Sequence, residues 1–448
     1  MSFSSLPPPG PSRRRVLGSL AGLGGLGALA AAGCAAPTGT AAGRTRLRYW
    51  HLFGGGDGVN MAAMLDAFQA GHTGYDLQRA SLAWGAPYYT KLAMAGAGGR
   101  APEVAAMHLA RVPGFAPGRL LDPFDLDLLA EHGVTEADFP ADMWRRGTFG
   151  GEQYAVPLDT HPVVTYYQTD ICREAGLLDD DGRLKEIRGT DAFLAALRAA
   201  GEVTGGPGLV IETLGPDTIG PWRIFSTFYA QTGGALLSED GTESALDDAK
   251  ALRAMELMRT LTEEGLAHER VDYNGSVGIF AAGETAFFLN GDWEVSTFTN
   301  GGLPFSMATV PTVFDRPAAQ ADCHCFVLPH QDDRGGAGNE AAHAFVAWML
   351  KNSVSWAEGG HIPAYLPTLD EPAYLDLRPQ SEYREAIDTV ALDAPAWFAG
   401  SASALWIELG AVLSGVLTGS RTPEGALDEM KDRLRDLLDT PNPFGETV

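Results

Sequence analysis

The chain has 448 residues, 57 of them acidic against 32 basic, for a formal charge of −25. A surface this acidic repels polyanions, which argues against nucleic acid and anionic lipid headgroups as partners. With 45% hydrophobic residues there is enough for a large core, so the length points to two or three domains or one large two-lobed unit.

The first 33 residues read as an address. Ser12-Arg13-Arg14-Arg15-Val16-Leu17 fits a twin-arginine export motif, and a charge-free stretch rich in Gly, Ala and Leu runs from Val16 to Gly33. Ala31-Ala32-Gly33-Cys34 then offers small residues before a cysteine. Cys34 resembles the lipidated cysteine of a lipobox. Ala31 stands where such motifs usually carry an aliphatic residue, so a plain secretory signal with an incidental cysteine stays open. The run is short for a spanning helix of roughly 20 residues, and its glycines weaken a helix. Gly22-Leu23-Gly24-Gly25-Leu26-Gly27 matches a dinucleotide fingerprint in letters only, since no strand precedes it. Cleavage removes three arginines and no acid, which takes the formal charge to −28. Residues 34–44 read as a tether, flexible from Thr38 to Arg44.

The folded part opens with a strand, Leu47 to Phe53, and a Gly-rich turn, Gly54-Gly55-Gly56-Asp57-Gly58. Met61, Met64, Leu65 and Phe68 follow at the spacing of a helix face, and Gly71 ends that helix. Val104 to His108 is a second short strand, so the order is strand, helix, strand, as in an α/β sheet with crossover helices. Strands are expected again at Val163–Tyr167, Leu209–Glu212, Ala286–Asn290 and Phe326–Leu328. Helices are expected at 191–200, 246–265, 340–351 and 423–438. Thr422 caps the last of these, Pro423 opens it, and Leu427, Met430, Leu434 and Leu437 line its buried stripe.

After Cys34 only Cys172, Cys323 and Cys325 remain, which is no disulfide framework. Cys323-His324-Cys325 invites a metal reading, yet no second ligand pair at finger spacing accompanies it, and two buried strand cysteines are the plainer expectation. No metal site and no cofactor is read from the sequence.

Several segments line up in order with one family. They are Trp50-His51 with its Gly/Asp turn, Tyr154-Ala155-Val156-Pro157-Leu158-Asp159 running on through Val163–Tyr167 to Asp170 and Gly176-Leu177, and Gly283 through Trp293. Val310-Pro311-Thr312, Gly360-His361-Ile362-Pro363-Ala364 and Thr422 through Leu427 complete the set. The chain resembles the carbohydrate-binding group of extracellular solute-binding proteins, the group that includes maltose-binding protein. That likeness implies a two-lobed α/β periplasmic-binding-protein-like fold of type II, its lobes joined by three hinge crossings. One lobe would be 45–158 plus 310–362 and the other 159–309 plus 363–448, with crossings near Pro157-Leu158-Asp159, Val310-Pro311-Thr312 and His361-Ile362-Pro363. It implies a sugar bound in the cleft, delivery to the transmembrane subunits of an ABC permease, and a monomer anchored outside the cytoplasmic membrane through Cys34.

A sugar needs aromatic faces for its C–H side and planar polar partners for its hydroxyls, converging in a concave place. Asn290, Asp292 and Trp293 follow a predicted strand, where α/β sheets place ligands, and Trp293 matches a stacking position of the family. Trp406 matches another, and Trp222 follows a Gly-Pro turn; each of the three tryptophans would alternatively be a core anchor. His51, Gly55 and Asp57 occupy the turn after the first strand, Trp84 precedes Tyr88-Tyr89, and His108 ends the second strand with Arg111 after it. Asp159, Thr160 and His161 fall at the first crossing, where a carboxylate would see both lobes; His324 and His361 lie near loop ends. No motif for nucleophilic, metalloprotease or P-loop chemistry occurs, so no catalytic residue is assigned. An extracellular sugar-processing enzyme remains one alternative, because two carboxylates suffice for glycoside hydrolysis. A binding protein for a polyamine or a peptide is the other.

Overall fold

The computed structural model describes residues 43–215 and 219–443. The export signal, Cys34 and most of the tether lie outside these residues. Two sheets carry the architecture. The first is six-stranded. In it β1 (Thr45–His51) pairs in parallel with β2 (Tyr75–Ser81) and β3 (Val104–His108). Helices α1 (Gly55–Gly71) and α2 (Ala86–Ala97) make the crossovers. β4 (Leu121–Asp122) joins the same sheet. A small hairpin, β5 (Thr148–Phe149) with β6 (Glu152–Gln153), stands apart. It leads into β7 (Ala155–Pro157).

The second sheet is seven-stranded and is organised by β8 (Asp159–Gln168), a long strand buried throughout. β9 (Leu209–Val210), β10 (Phe287–Gly291), β11 (Phe305–Thr309) and β12 (Ala319–Asp322) belong to it. The chain then returns to the first sheet as β13 (His324–Pro329), antiparallel to β3, β4 and β7. β14 (Ile362–Pro363) pairs with the start of β8, and β15 (Val390–Ala391) pairs with β12. The chain therefore passes between sheets at Leu158 and again at Cys323, and at both places the next residue opens a buried strand.

β8 shows why both faces are apolar. Its β-branched and aromatic residues alternate, Val163 and Tyr167 entering one hydrophobic cluster while Val164 and Tyr166 enter another. A strand covered on both sides reads as a continuous apolar run rather than an alternating one. The first sheet has its own cluster, built from Leu47, Tyr49, Val104–Met107 and Phe326 with the α1 stripe of Met61, Met64, Leu65 and Phe68.

Two local expectations are corrected. The Gly54–Gly58 turn is not a loop: helix α1 begins at Gly55, with extended Gly54 before it. Trp222 does not follow a turn either, because Gly220 and Pro221 lie in the first turn of a helix, Ile219–Gln231, where a missing N–H costs nothing. The Thr422 cap forms as expected, its hydroxyl accepting from the Gly425 amide at 3.2 Å. Cys172, Cys323 and Cys325 are free thiols, all buried. Among the described residues no helix is long and apolar enough to cross a membrane.

Candidate functional site

Where the chain leaves the first sheet, β8 starts with Asp159, whose side chain is 0% exposed. Its carboxylate is saturated. Oδ1 lies 3.0 Å from His161 Nδ1 and accepts the His324 amide at 2.9 Å; Oδ2 lies 2.9 Å from His324 Nδ1 and accepts the Trp356 indole N–H at 2.6 Å. Burial by itself would raise this carboxyl, but the facing His324 and His361 and the hydrogen bonds from His161 and His324 hold it well below the ordinary range. An ionised carboxylate only accepts, which places a proton on Nδ1 of both histidines. The two rings stack at 4.1 Å. Burial, then the neighbouring His324, lowers His161 to about 4.

His361 arrives from just before β14. It is 0% exposed, packs on Trp356 at 4.5 Å between centroids, and has no hydrogen-bond partner at either ring nitrogen. Burial lowers it to about 3. Asp57, from the first turn of α1, reaches to 3.6 Å from its Nε2. His51, at the end of β1, is stacked between Tyr49 and Phe53 and lowered to about 4 by burial and then by Arg79. His108, at the end of β3, is hydrogen-bonded through Nδ1 to the Tyr89 hydroxyl and lies 4.7 Å from the His324 ring.

The opposite wall is the end of β10. Asn290 and Gly291 finish the strand and Asp292-Trp293-Glu294 form a single 3-10 turn. Gly291 is required there, because a Cβ on it would fall 1.7 Å from the Trp293 ring that folds back over it. Gly360, at φ +122°, is the matching close approach: a Cβ would meet the Asp292 carbonyl oxygen at 1.8 Å. Trp293 donates its indole N–H to Tyr273 at 2.7 Å and stands 5.9 Å from His161. Tyr273 in turn bonds Glu294. The Arg223 guanidinium lies over Trp293 at 4.6 Å and over Trp406 at 5.8 Å. Asp292 is 0% exposed, and neither of its carboxylate oxygens has a partner among the described residues. Asp57 Oδ1 and Asn290 Nδ2 are likewise buried without one. Burial, then Asp159 and Asp57, pushes Asp292 well above the ordinary carboxylate range.

The structure thus brings His51, Asp57, His108, Asp159, His161, Asn290, Asp292, Trp293, His324 and His361 into one region between the two sheets. Thr160 lies beside it, its hydroxyl donating to the Asp322 carbonyl. Trp406 borders it through Arg223 but is otherwise packed in a helix, Ala404–Leu417, with its indole bonded to Asp393. Trp222 is buried in the same core, 6.4 Å from Trp406. Gly55 is exposed, and Trp84 is 37% exposed with its ring edge toward His108 at 6.3 Å. Sequence reasoning did not single out Trp356, Arg223, Tyr273 or Glu294. Only Arg223, beside Trp222 and facing an acidic composition, carried any signal.

The profile of bacterial extracellular solute-binding proteins matches residues 55–355. No curated protein sequence matches the chain. Among solved structures, the GacH receptor of Streptomyces glaucescens, known unliganded and with acarbose, is similar at a TM-score of 0.75 and 19% identity, over 88% of this chain and 98% of that one. A cyclic α-maltosyl-1,6-maltose binding protein from Arthrobacter globiformis is similar at 0.70 and 22%, over 88% and 99%. An ABC substrate-binding protein from Listeria monocytogenes in complex with cycloalternan is similar at 0.72 and 19%, over 88% and 98%. The likeness establishes a shared two-lobed α/β fold.

Proposed function

The chain belongs to the bacterial extracellular solute-binding protein family, and on that premise we propose that it is the substrate-binding lipoprotein of an ABC sugar importer. It takes a mono- or oligosaccharide between its two sheets and passes it unchanged to the transmembrane subunits. The sheets are taken as the cores of two lobes and the passages at Leu158, Cys323 and His361 as the hinge. The second crossing is thus moved from the expected Val310-Pro311-Thr312 to Cys323, because β12 (Ala319–Asp322) still pairs with β8 in the second sheet. Cys34 carries the lipid once the twin-arginine signal is removed.

One observation carries the saccharide reading: Asp292 and Asn290 are buried, Asp57 is partly so, and all three bring buried, unpartnered polar atoms to the region between the sheets. A buried polar atom left unpaired costs about 1–3 kcal/mol. Sugar hydroxyls donate to the carboxylates and accept from the amide, while Trp293 offers a ring face beside them. Side chains of both sheets already touch here, so entry requires the lobes to part and ligand favours their closing.

Calorimetry of the purified protein against maltodextrins, cyclic oligosaccharides, spermidine and short peptides tests this. A saccharide is expected to bind, and Trp293→Ala to weaken it by at least about tenfold, the roughly 1–3 kcal/mol of one lost stacking ring. Binding of spermidine alone, hydrolysis of the sugar, or full affinity in the variant would overturn the reading. Cys34→Ala is expected to release the protein into the medium; retention at the membrane would refute the anchor.

A further inference from the structure

Asp159, His161, His324 and His361 come from three separated stretches of chain, yet each offers a ligating atom within 4.8 Å of those of the other three. All four are buried, and among the described residues they form the one such group of histidine, cysteine and carboxylate side chains. We propose that this quartet is a binding site for a divalent transition-metal ion of the zinc class.

Three features support it beyond proximity. The donor set is three imidazoles and one carboxylate, with no thiolate, which suits zinc and its neighbours and does not suit magnesium or calcium. Asp159 already holds two of the rings within ligating reach, one carboxylate oxygen 3.0 Å from His161 Nδ1 and the other 2.9 Å from His324 Nδ1. An ion bound by the quartet would take the place of the two Nδ1 protons, each ring then carrying its proton on Nε2. His361 is the independent pointer: an imidazole with 0% exposure and two unpartnered nitrogens, aimed at the His161 and His324 rings from 5.9 and 5.4 Å. A tetrahedral ion about 2.0–2.1 Å from each donor needs those atoms roughly 3.4 Å apart, so the widest pair must draw in by about 1.4 Å. Asp57 Oδ2 stands 3.6 Å from His361 Nε2, close enough to orient the third ring.

Position gives the site a consequence. His161 lies on β8 and His361 directly precedes β14, both in the second sheet, whereas His324 opens β13 in the first. An ion held by all three would tie the sheets together where the chain passes between them. Neither the donor set nor this placement depends on the saccharide reading.

The test uses the untagged full chain, stripped with a chelator and titrated with ZnCl2 by calorimetry, with saccharide titrations run on the same samples. One zinc per chain is expected, with a rise in Tm on addition. His361→Gln removes no hydrogen bond of the metal-free fold, so it is expected to fold normally and to lose at least about tenfold in zinc affinity. Cobalt gives a second readout on the unmodified protein: visible absorption on Co2+ loading, abolished by zinc. Absence of zinc binding, or zinc binding undiminished in His361→Gln, would overturn the proposal whatever the saccharide result.

Discussion

Two carboxylates in one region of this molecule are equally deep and oppositely treated. Asp159, at the junction of the sheets, accepts four hydrogen bonds and is held ionised. Asp292, at the end of β10, accepts none and is pushed toward its neutral form. Burial penalises the charged form of both, so the difference lies in what surrounds them: two histidines and an indole aim donors at Asp159, whereas Asp292 faces other acids, Asp159 and Asp57. In the metal-free fold the first is completed by the chain's own donors. The second has acceptor capacity that only something from outside the chain can use.

The largest expected effect breaks the first of these. Asp159→Ala strands the donors of His161, His324 and Trp356 in the interior, and removing one partner of a buried charged network costs about 3–5 kcal/mol. Chemical denaturation should show a midpoint shift of that size with an unchanged slope. A loss below about 1 kcal/mol would mean that the network is not what holds the sheet junction together.

A smaller effect probes a third acid. Asp393 accepts from the Trp406 indole and the Gly400 amide, with Asp322 and Arg146 as its charged neighbours. Burial, then Asp322, raises it from 3.8 to about 7. A raised folded pKa means that the native state holds the proton longer, so this group's contribution to stability falls as pH rises from about 4 and levels off above about 7. Between pH 5 and pH 8 the unmodified protein should therefore lose roughly 2–3 kcal/mol more than Asp393→Asn. Parallel pH profiles for the two would refute the assignment.

The sequence displayed one half of this contrast better than the other. The β8 strand was legible from Val163 to Tyr167, because β-branched and aromatic residues crowd there. Its first residues, Asp159 to His161, are strand only because β12 and β14 pair with them, and nothing local announces that. The Asn290-Gly291-Asp292-Trp293 motif could be read as a site because its members are adjacent. The members of the Asp159 quartet could be named singly but not joined, since 163 positions separate His161 from His324 and only the fold brings them together. Helices Ile219–Gln231 and Ala404–Leu417 escaped for a related reason: buried on nearly every side, they lack the one-sided stripe by which a helix is recognised. The Gly54–Gly58 stretch misled in the opposite direction. Its glycines suggested a loop, yet a Cβ at Gly56 would lie 2.9 Å from Ser296 Cβ, so small residues there let the first turn of α1 approach the helix end after Trp293.

The smallest change in stability should come from the other member of the pair, and it is the most discriminating. Asp292→Asn keeps the shape of the side chain and removes a charge that burial already disfavours. With no hydrogen bond to lose, the variant should match the parent within about 1 kcal/mol in denaturant, and it should be the more stable of the two at alkaline pH, where the parent must ionise this group. Saccharide affinity should nevertheless fall by at least about tenfold, because hydroxyls donated by a bound sugar would hold Asp292 in its ionised, acceptor-only form, and the amide half of the new side chain cannot accept from a hydroxyl. Asp159→Ala loses stability first and binding as a result, whereas Asp292→Asn would lose binding alone. If instead Asp292→Asn bound as well as the parent while unfolding earlier, Asp292 would be a structural residue like Asp159, and the open acceptor at the end of β10 would have no part in holding a ligand.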